Sequence, residues 1–289
     1  MIVSAYIAGG AESVSGPADA LLPWWSFGKT VLAAAVFKLA EQGRLALDAP
    51  LDGRPYTLRQ LLGHRAGVPD YGGLAEYHAA VARGDKAWPV SELLSRANAN
   101  RLLFAPGRGW SYSNIGYLFV RREIERATDS ELRSALHATV FAPLGIHAFV
   151  TRRRDDMQRL AFANLRSYDP NWVYHGLVVG TASDAARFLE CAFTTDFLSE
   201  ASRAAMFDAV PPPSVPADRP FVTPRAATGL MVDPDGPHGL WYGHTGGGPG
   251  SVCAVYRFPD LDPSRTVAAF SDDRDEGAIE RAVLEIAAA

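Results

Sequence analysis

Apolar residues recur along the chain with two different periods, and the change of period marks out its parts. Residues 2–7 form a short run rich in β-formers that ends at Gly9-Gly10, and they predict a strand. Residues 30–42 place Val31, Leu32, Ala35, Val36 and Leu39 at helical spacing before Gly43, a natural stop, so a mostly buried helix is predicted there. Helical patterns follow at 58–62, 90–97, 115–127, 131–140 and 181–192, with Pro143 and Pro170 as punctuation. Then the character changes. Six prolines fall within 209–224, which reads as an irregular surface loop. Strand-like runs at 229–232, 240–245, 252–258 and 266–270, separated by Gly, Pro and Asp turns, predict an antiparallel meander, and 278–287 closes as a helix.

This order of elements predicts an α/β (α+β) fold, an antiparallel β-sheet flanked by terminal helices with an all-helical lobe inserted. Residues 1–55 and 171–289 would build the α/β lobe, residues 56–170 the helical lobe, and the active site would lie in the cleft between them. No internal repeat or low-complexity tract interrupts this pattern.

Composition narrows the function. The 289 residues are 48% hydrophobic and 21% charged, ordinary values for a globular enzyme that buries a large core. The net charge of -4 argues against a nucleic-acid partner, because phosphate binding needs a basic surface. The one basic run, Arg152-Arg153-Arg154, meets Asp155-Asp156 at once and reads as a solvated surface. Cys191 and Cys253 sit among apolar residues and form neither a CxxC nor a disulfide framework. The first ten residues show no basic start, no long apolar run and no processing site, so neither a signal peptide nor a membrane span is expected, and the expected location is the cytoplasm. The seven histidines include no HExxH or other ligand spacing, and no metal or cofactor is expected.

Lysine usage is the first chemical clue. Of 28 basic residues only Lys29, Lys38 and Lys86 are lysines. Lysine differs from arginine in that its amine can lose its proton when its surroundings demand it, and a helix N-terminus pushes in that direction. Lys29 stands at such a place, three residues after Ser26, so both side chains share a helix face. An amine of shifted pKa within reach of a hydroxyl is a route to an activated serine. Lys38 falls on the opposite face and should be a surface residue. Ser-x-x-Lys alone also fits a helix-capping serine beside a solvated lysine. Two other stretches add weight. Tyr112-Ser113-Asn114, the only Tyr-x-Asn in the chain, follows the turn-rich 106–110 and precedes a helix, a good place from which to aim a side chain into a cleft. His244-Thr245-Gly246 ends a strand and runs into Gly247-Gly248-Pro249-Gly250, where glycines permit close backbone approach to a ligand. His64, near a helix end, reads as a structural hydrogen-bonder. Trp24, Trp25, Trp110, Trp172 and Tyr174 lie near these motifs; core packing is the expected role of most, with the acyl pocket as the alternative.

Taken together and in order, these stretches resemble the class C β-lactamase-like serine hydrolases, a group that includes class C β-lactamases, D-Ala-D-Ala carboxypeptidases, D-aminopeptidases and β-lactamase-like carboxylesterases. Ser26-Phe27-Gly28-Lys29 resembles the family's Ser-x-x-Lys. The stretch from Leu61 to Tyr71, through Gly63-His64-Arg65-Ala66-Gly67, resembles its helix-end signature. Tyr112-Ser113-Asn114 resembles its second motif, Pro143-Leu144-Gly145 a further landmark, and His244-Thr245-Gly246 its third motif. The resemblance covers nearly the whole chain and implies the β-lactamase/transpeptidase-like fold. Two departures stand out: only 25 residues precede Ser26, so the family's N-terminal helix is expected to be missing, and the third motif opens with His where many lactamases carry Lys.

The resemblance implies Ser26 as nucleophile, with Lys29 and Tyr112 sharing its proton; which of the two is the base stays open. Asn114 would bind Lys29 or a substrate amide, and His244, Thr245 and Gly246 would flank the substrate. Tyr112 would be stabilised as a phenolate between Lys29 and a cationic His244. The backbone N–H groups of Ser26 and Gly247 would form the oxyanion hole. The partner is a small-molecule acyl substrate, with oligomeric state open. Carboxylesterase-like hydrolysis of small esters or amides is the favoured activity. D-amino-acid peptide hydrolysis and β-lactam hydrolysis are alternatives, and a non-catalytic acyl- or penicillin-binding module is the alternative of another kind. A Ser-His-Asp hydrolase would need a Gly-x-Ser-x-Gly elbow, and the chain has none.

Overall fold

Val3 and Ala5 are buried while Ile2 is exposed, the mark of a strand with one face on the core, and this strand opens the fold. The computed structural model describes residues 1–289. The strand is β1 (Ile2–Ala8); it turns through Gly9-Gly10, both in left-handed backbone, into β2 (Ala11–Ser15), the pattern of a two-residue hairpin. After β3 (Leu22–Pro23), the turn Trp25–Phe27 leads into helix α1 (Gly28–Glu41). Then come α2 (Leu58–Leu62), α3 (Ala75–Ala82), α4 (Val90–Arg96), α5 (Asn114–Thr128), α6 (Leu132–Leu136) and α7 (Ala142–Leu144). Strand β4 (Phe149–Thr151), α8 (Arg154–Met157), β5 (Leu177–Gly180), α9 (Ala182–Thr194) and α10 (Glu200–Met206) follow. The chain ends with β6 (Arg225–Ala226), β7 (Met231–Gly236), β8 (Gly239–Gly248), β9 (Ser251–Phe258), β10 (Arg265–Ser271) and α11 (Glu276–Ala288).

The main sheet runs β2-β1-β10-β9-β8-β7-β6, every neighbouring pair antiparallel, so strands from the two ends of the chain lie side by side. Its two faces follow the period of two. On β9, Cys253 and Val255 enter the large core shared with α1 and α9, while Val252, Ala254, Tyr256 and Phe258 enter a second core with Ile279 and Val283 of α11. Helix α1 is central. Val31 through Leu39 are buried with the sole exception of Lys38, which bonds Glu41 and the Phe197 carbonyl at the rim. Burying each Val or Leu there contributes roughly 1.5–3 kcal/mol, enough to fix this helix rigidly beneath the site.

Several elements are less regular than their patterns suggest. The helix expected over 131–140 is α6 followed by a wider turn, His137–Phe141. The stretch 56–170, expected to be purely helical, also carries β4, which pairs with β5 in a second, three-stranded sheet, β3-β5-β4. Strand β2 escaped the pattern because Ala11–Ser15 is a mostly exposed edge with no apolar side. No helix is long and apolar enough to cross a membrane.

Candidate active site

The segment Trp24-Trp25-Ser26 is forced into an unusual shape. Trp25 has φ of 40°, a left-handed conformation that disfavours a bulky residue. The Trp25 ring holds it there, donating from Nε1 to Ser251 Oγ at 2.7 Å. Ser26 follows, one turn before Lys29. It does not cap α1, whose first position is preceded by Phe27 with no side-chain cap. Its hydroxyl instead meets two partners: Tyr112 Oη at 2.8 Å and Lys29 Nζ at 3.0 Å.

Those partners come from different parts of the fold. Ser113 caps α5 by accepting from Gly116 N, and this fixes its neighbours on either side. Tyr112, before the cap, reaches Ser26; Asn114, after it, accepts from Lys29 through Oδ1 at 2.8 Å. The other end of the Asn114 amide donates to Asp70 Oδ2 at 3.2 Å, while Asp70 Oδ1 accepts from Asn114 N at 2.8 Å. Asp70 therefore sets which way the Asn114 amide points. His64 accepts from Ser113 N through Nδ1 at 3.1 Å and lies against the Tyr112 ring, centroids 4.4 Å apart. It supports the phenol from behind, as a structural hydrogen-bonder would.

Electrostatics separates the two candidate bases. Lys29 is wholly buried, and burial pulls its ammonium down to about 7, against a smaller upward pull from Asp70. Burial, rather than the helix N-terminus, is the dominant cause. The Tyr112 phenol moves the other way, pushed above its ordinary value by burial and only partly relieved by its bond to Ser26. A phenol with an ordinary pKa of about 10 is already about 0.1% ionised at pH 7, so Tyr112 rests as a neutral phenol hydrogen-bonded to Ser26 Oγ while Lys29 is poised between its two forms.

The third motif departs from expectation. His244 is not a cation: burial, and secondarily the Lys29 charge, hold it at about 3. Its Nδ1 lies 2.5 Å from the Thr245 carbonyl and so carries the proton, which leaves Nε2 an acceptor. The expected second positive charge beside Tyr112 is therefore absent. Thr245 turns its hydroxyl to the opposite face, donating to Glu280 beside Tyr256 Oη at 2.7 Å, so that hydroxyl is not free for a substrate. Arg219 pairs with Glu280 and, at 2.6 Å, with Glu276. Gly246 backs the nucleophile. A Cβ there would stand 2.5 Å from Ser26 N and 2.8 Å from Trp25 Cβ, so only glycine allows the strand this close. Gly246→Ala is accordingly expected to slow serine labelling by about 10²-fold or more, because it displaces an oxyanion donor; a melting scan beside the labelling assay separates this from unfolding.

Strand β7 stops pairing with β8 at Gly243, whereas β9 continues to Gly248. One edge of His244–Gly248 is thus left facing Ser26, and consecutive N–H groups on a strand point to opposite edges. A cavity of about 470 Å³ opens there, with Ser26, Tyr112, Asn114, His244 and Gly247 in its lining. Trp25, Trp110 and Trp172 line it too, while Trp24 packs in the core against Phe27 and Phe188. The proline-rich loop rims the cavity through Pro212, Pro216, Phe221 and Pro224. Sequence reasoning gave no role to Asp70, although it lies within the stretch 61–71. Nor did it find His175 or the Arg219–Glu276–Glu280 cluster, whose members lack any local pattern.

A sequence model of the Beta-lactamase family matches residues 3–282. Penicillin-binding protein 4* of Bacillus subtilis (strain 168) is 26% identical over 91% of the chain, and esterase EstB of Burkholderia gladioli is 32% identical over 44% of it. The chain spans 63% of the length of the first and 38% of the second. Among solved structures, a D-stereospecific amidohydrolase from Streptomyces sp. superposes with a TM-score of 0.81 at 21% identity, covering 99% of this chain and 93% of the other, which shows a shared fold.

Proposed function

The chain belongs to the Beta-lactamase family, and from that premise we propose that it is a serine hydrolase that forms a covalent acyl-enzyme at Ser26. One observation carries the reading: Ser26 Oγ sits 3.0 Å from a buried amine and 2.8 Å from a half-buried phenol. Neutral Lys29 takes the Ser26 proton as Oγ attacks the carbonyl, and the N–H groups of Ser26 and Gly247 hold the oxyanion; one such donor is worth about 10²–10³ in rate. Lys29 is then an ammonium held by Asn114. Tyr112 gives its proton to the leaving group and is resupplied from Lys29. Water reaches the acyl carbon by the reverse route, its proton passing through Tyr112 to Lys29.

The cavity favours small acyl groups without a free carboxylate. His244 is neutral, Arg219 is taken up by two carboxylates, and Arg225, the lining cation without a carboxylate partner, lies on β6, two strands from β8. This supports hydrolysis of uncharged esters, with D-amino-acid amides next. The relatives' names include an esterase, a penicillin-binding protein and a D-stereospecific amidohydrolase, so both ester and amide substrates stay in the test.

Fluorophosphonate labelling, read by intact mass and peptide mapping, tests the nucleophile: one adduct on Ser26 is expected, and an adduct elsewhere or none overturns it. A panel of p-nitrophenyl esters, D-Ala p-nitroanilide and nitrocefin tests the substrate class. Esters should turn over fastest; rapid turnover of nitrocefin alone would reverse the order. A stoichiometric acyl adduct that never turns over would make the protein a binder.

A further inference from the structure

His175 is a polar group beside Lys29 for which the mechanism above has no task. It lies just before β5, is wholly buried, and brings Nε2 to 3.5 Å from Lys29 Nζ. Its Nδ1 makes no well-formed hydrogen bond, although a backbone contact with Trp25 favours protonation of the ring.

The count of hydrogens around Lys29 suggests a task. A neutral amine has two N–H groups and one lone pair. Three polar neighbours surround Nζ: Asn114 Oδ1 at 2.8 Å, Ser26 Oγ at 3.0 Å and His175 Nε2 at 3.5 Å. Asn114 Oδ1 can only accept. If Nε2 also accepts, both N–H groups are used and the lone pair has one direction left, toward the Ser26 hydroxyl. Take His175 away and the second N–H is free to turn to Ser26, which leaves the amine donating to the group it must deprotonate. The imidazole is suited to accepting because it is neutral: burial, and then the Lys29 charge, hold it well below the usual histidine range. Contacts of this length in an unliganded site commonly shorten once substrate is bound.

We propose that His175 is a positioning residue that accepts a hydrogen bond from Lys29 and so directs the amine lone pair at Ser26. The role rests on Lys29 as the base, and it adds a second task. Once Lys29 is an ammonium, its new N–H points at Ser26 Oγ while Asn114 Oδ1 and Nε2 keep the other two, so Nε2 supports the charge in the transition state.

The charged and titratable groups around the pair are few. Lys29 is faced by the rings of Tyr112 and Tyr117, at 4.9 and 5.6 Å, by the Asp70 carboxylate, and by His64 and His244. His175 is also faced by Tyr117, Arg121 and His244. None of these supplies another acceptor to Nζ within hydrogen-bonding range.

His175→Met and His175→Gln make the test, since they have similar volume and only glutamine can accept. The readout is the rate of Ser26 labelling by a fluorophosphonate across pH 5–9, with turnover of a p-nitrophenyl ester alongside. For His175→Met the labelling rate should fall about 10–100-fold with KM little changed, and the acid limb should move to lower pH because the ammonium has lost an acceptor. His175→Gln should recover most of the rate and return the limb toward its original position. Equal behaviour of the two variants, at any rate, overturns the proposal, since packing alone would not tell them apart. If the unsubstituted protein neither labels at Ser26 nor turns over ester, the hydrolase reading itself has failed.

Discussion

Replacing Lys29 with arginine is expected to lower kcat/KM on the order of 10⁴-fold, with the fold retained, because a guanidinium keeps its proton at any working pH and cannot act as a base. Lys29→Met should lose as much activity and gain stability. The sign follows from the amine's fall to about 7 in the folded chain. Between pH 7 and the ordinary lysine value the unfolded chain holds a proton that the folded chain lacks, so the native protein gains stability from this group as pH rises through that window. Below pH 7 both states are charged and the full cost of burying the ammonium is present. Lys29→Met should therefore be more stable by about 1–2 kcal/mol at neutral pH, after the loss of the Asn114 bond, and the gain should shrink toward pH 10. Denaturant unfolding at several pH values checks this. In the unsubstituted enzyme the same titration should appear as an acid limb on acylation with an apparent pKa near 7. An arginine variant with near-normal rates would remove Lys29 from the proton path.

Tyr112→Phe should cost about 10³-fold in kcat on amide substrates and less on p-nitrophenyl esters, whose leaving group needs little protonation. The ring should stay in place, because His64 lies against it and Ser26 is the hydroxyl's sole hydrogen-bond partner. A loss below tenfold on the anilide, or an equal loss on ester and anilide, would show that Tyr112 is not the donor to the leaving group.

The residues that meet in the candidate site were readable from sequence because each sits at a local landmark. Ser26 precedes and Lys29 opens a strongly apolar helix, Tyr112 and Asn114 flank a helix cap, and Gly246 and Gly247 lie near the end of a strand. Their charge states were not readable. The same stretch that places His244 in the cavity buries it, and burial depends on how α1, α5 and β8 come together rather than on any neighbour in the chain. The partners of the Thr245 hydroxyl were not readable for a related reason: period two on β8 says that His244 and Thr245 face opposite ways but not what either face meets. His175 and Asp70 act on Lys29 from 146 residues away and through Asn114, a relation that spacing alone does not carry. Among the elements, short α3 and α10 were missed because few of their residues are buried enough to impose a period, and β4 because three residues are too few to show one.

The segment joining α10 to β6 has a consequence for how this chain could diversify. Its prolines donate no backbone hydrogen bonds and its side chains form one wall of the cavity, yet none of them hydrogen-bonds Ser26, Lys29 or Tyr112. Substitutions and length changes at 211–217, with Arg219 and its carboxylate partners kept, should alter which acyl chains are admitted while leaving the chemistry intact, so a library restricted to those positions is where new substrate ranges should be found.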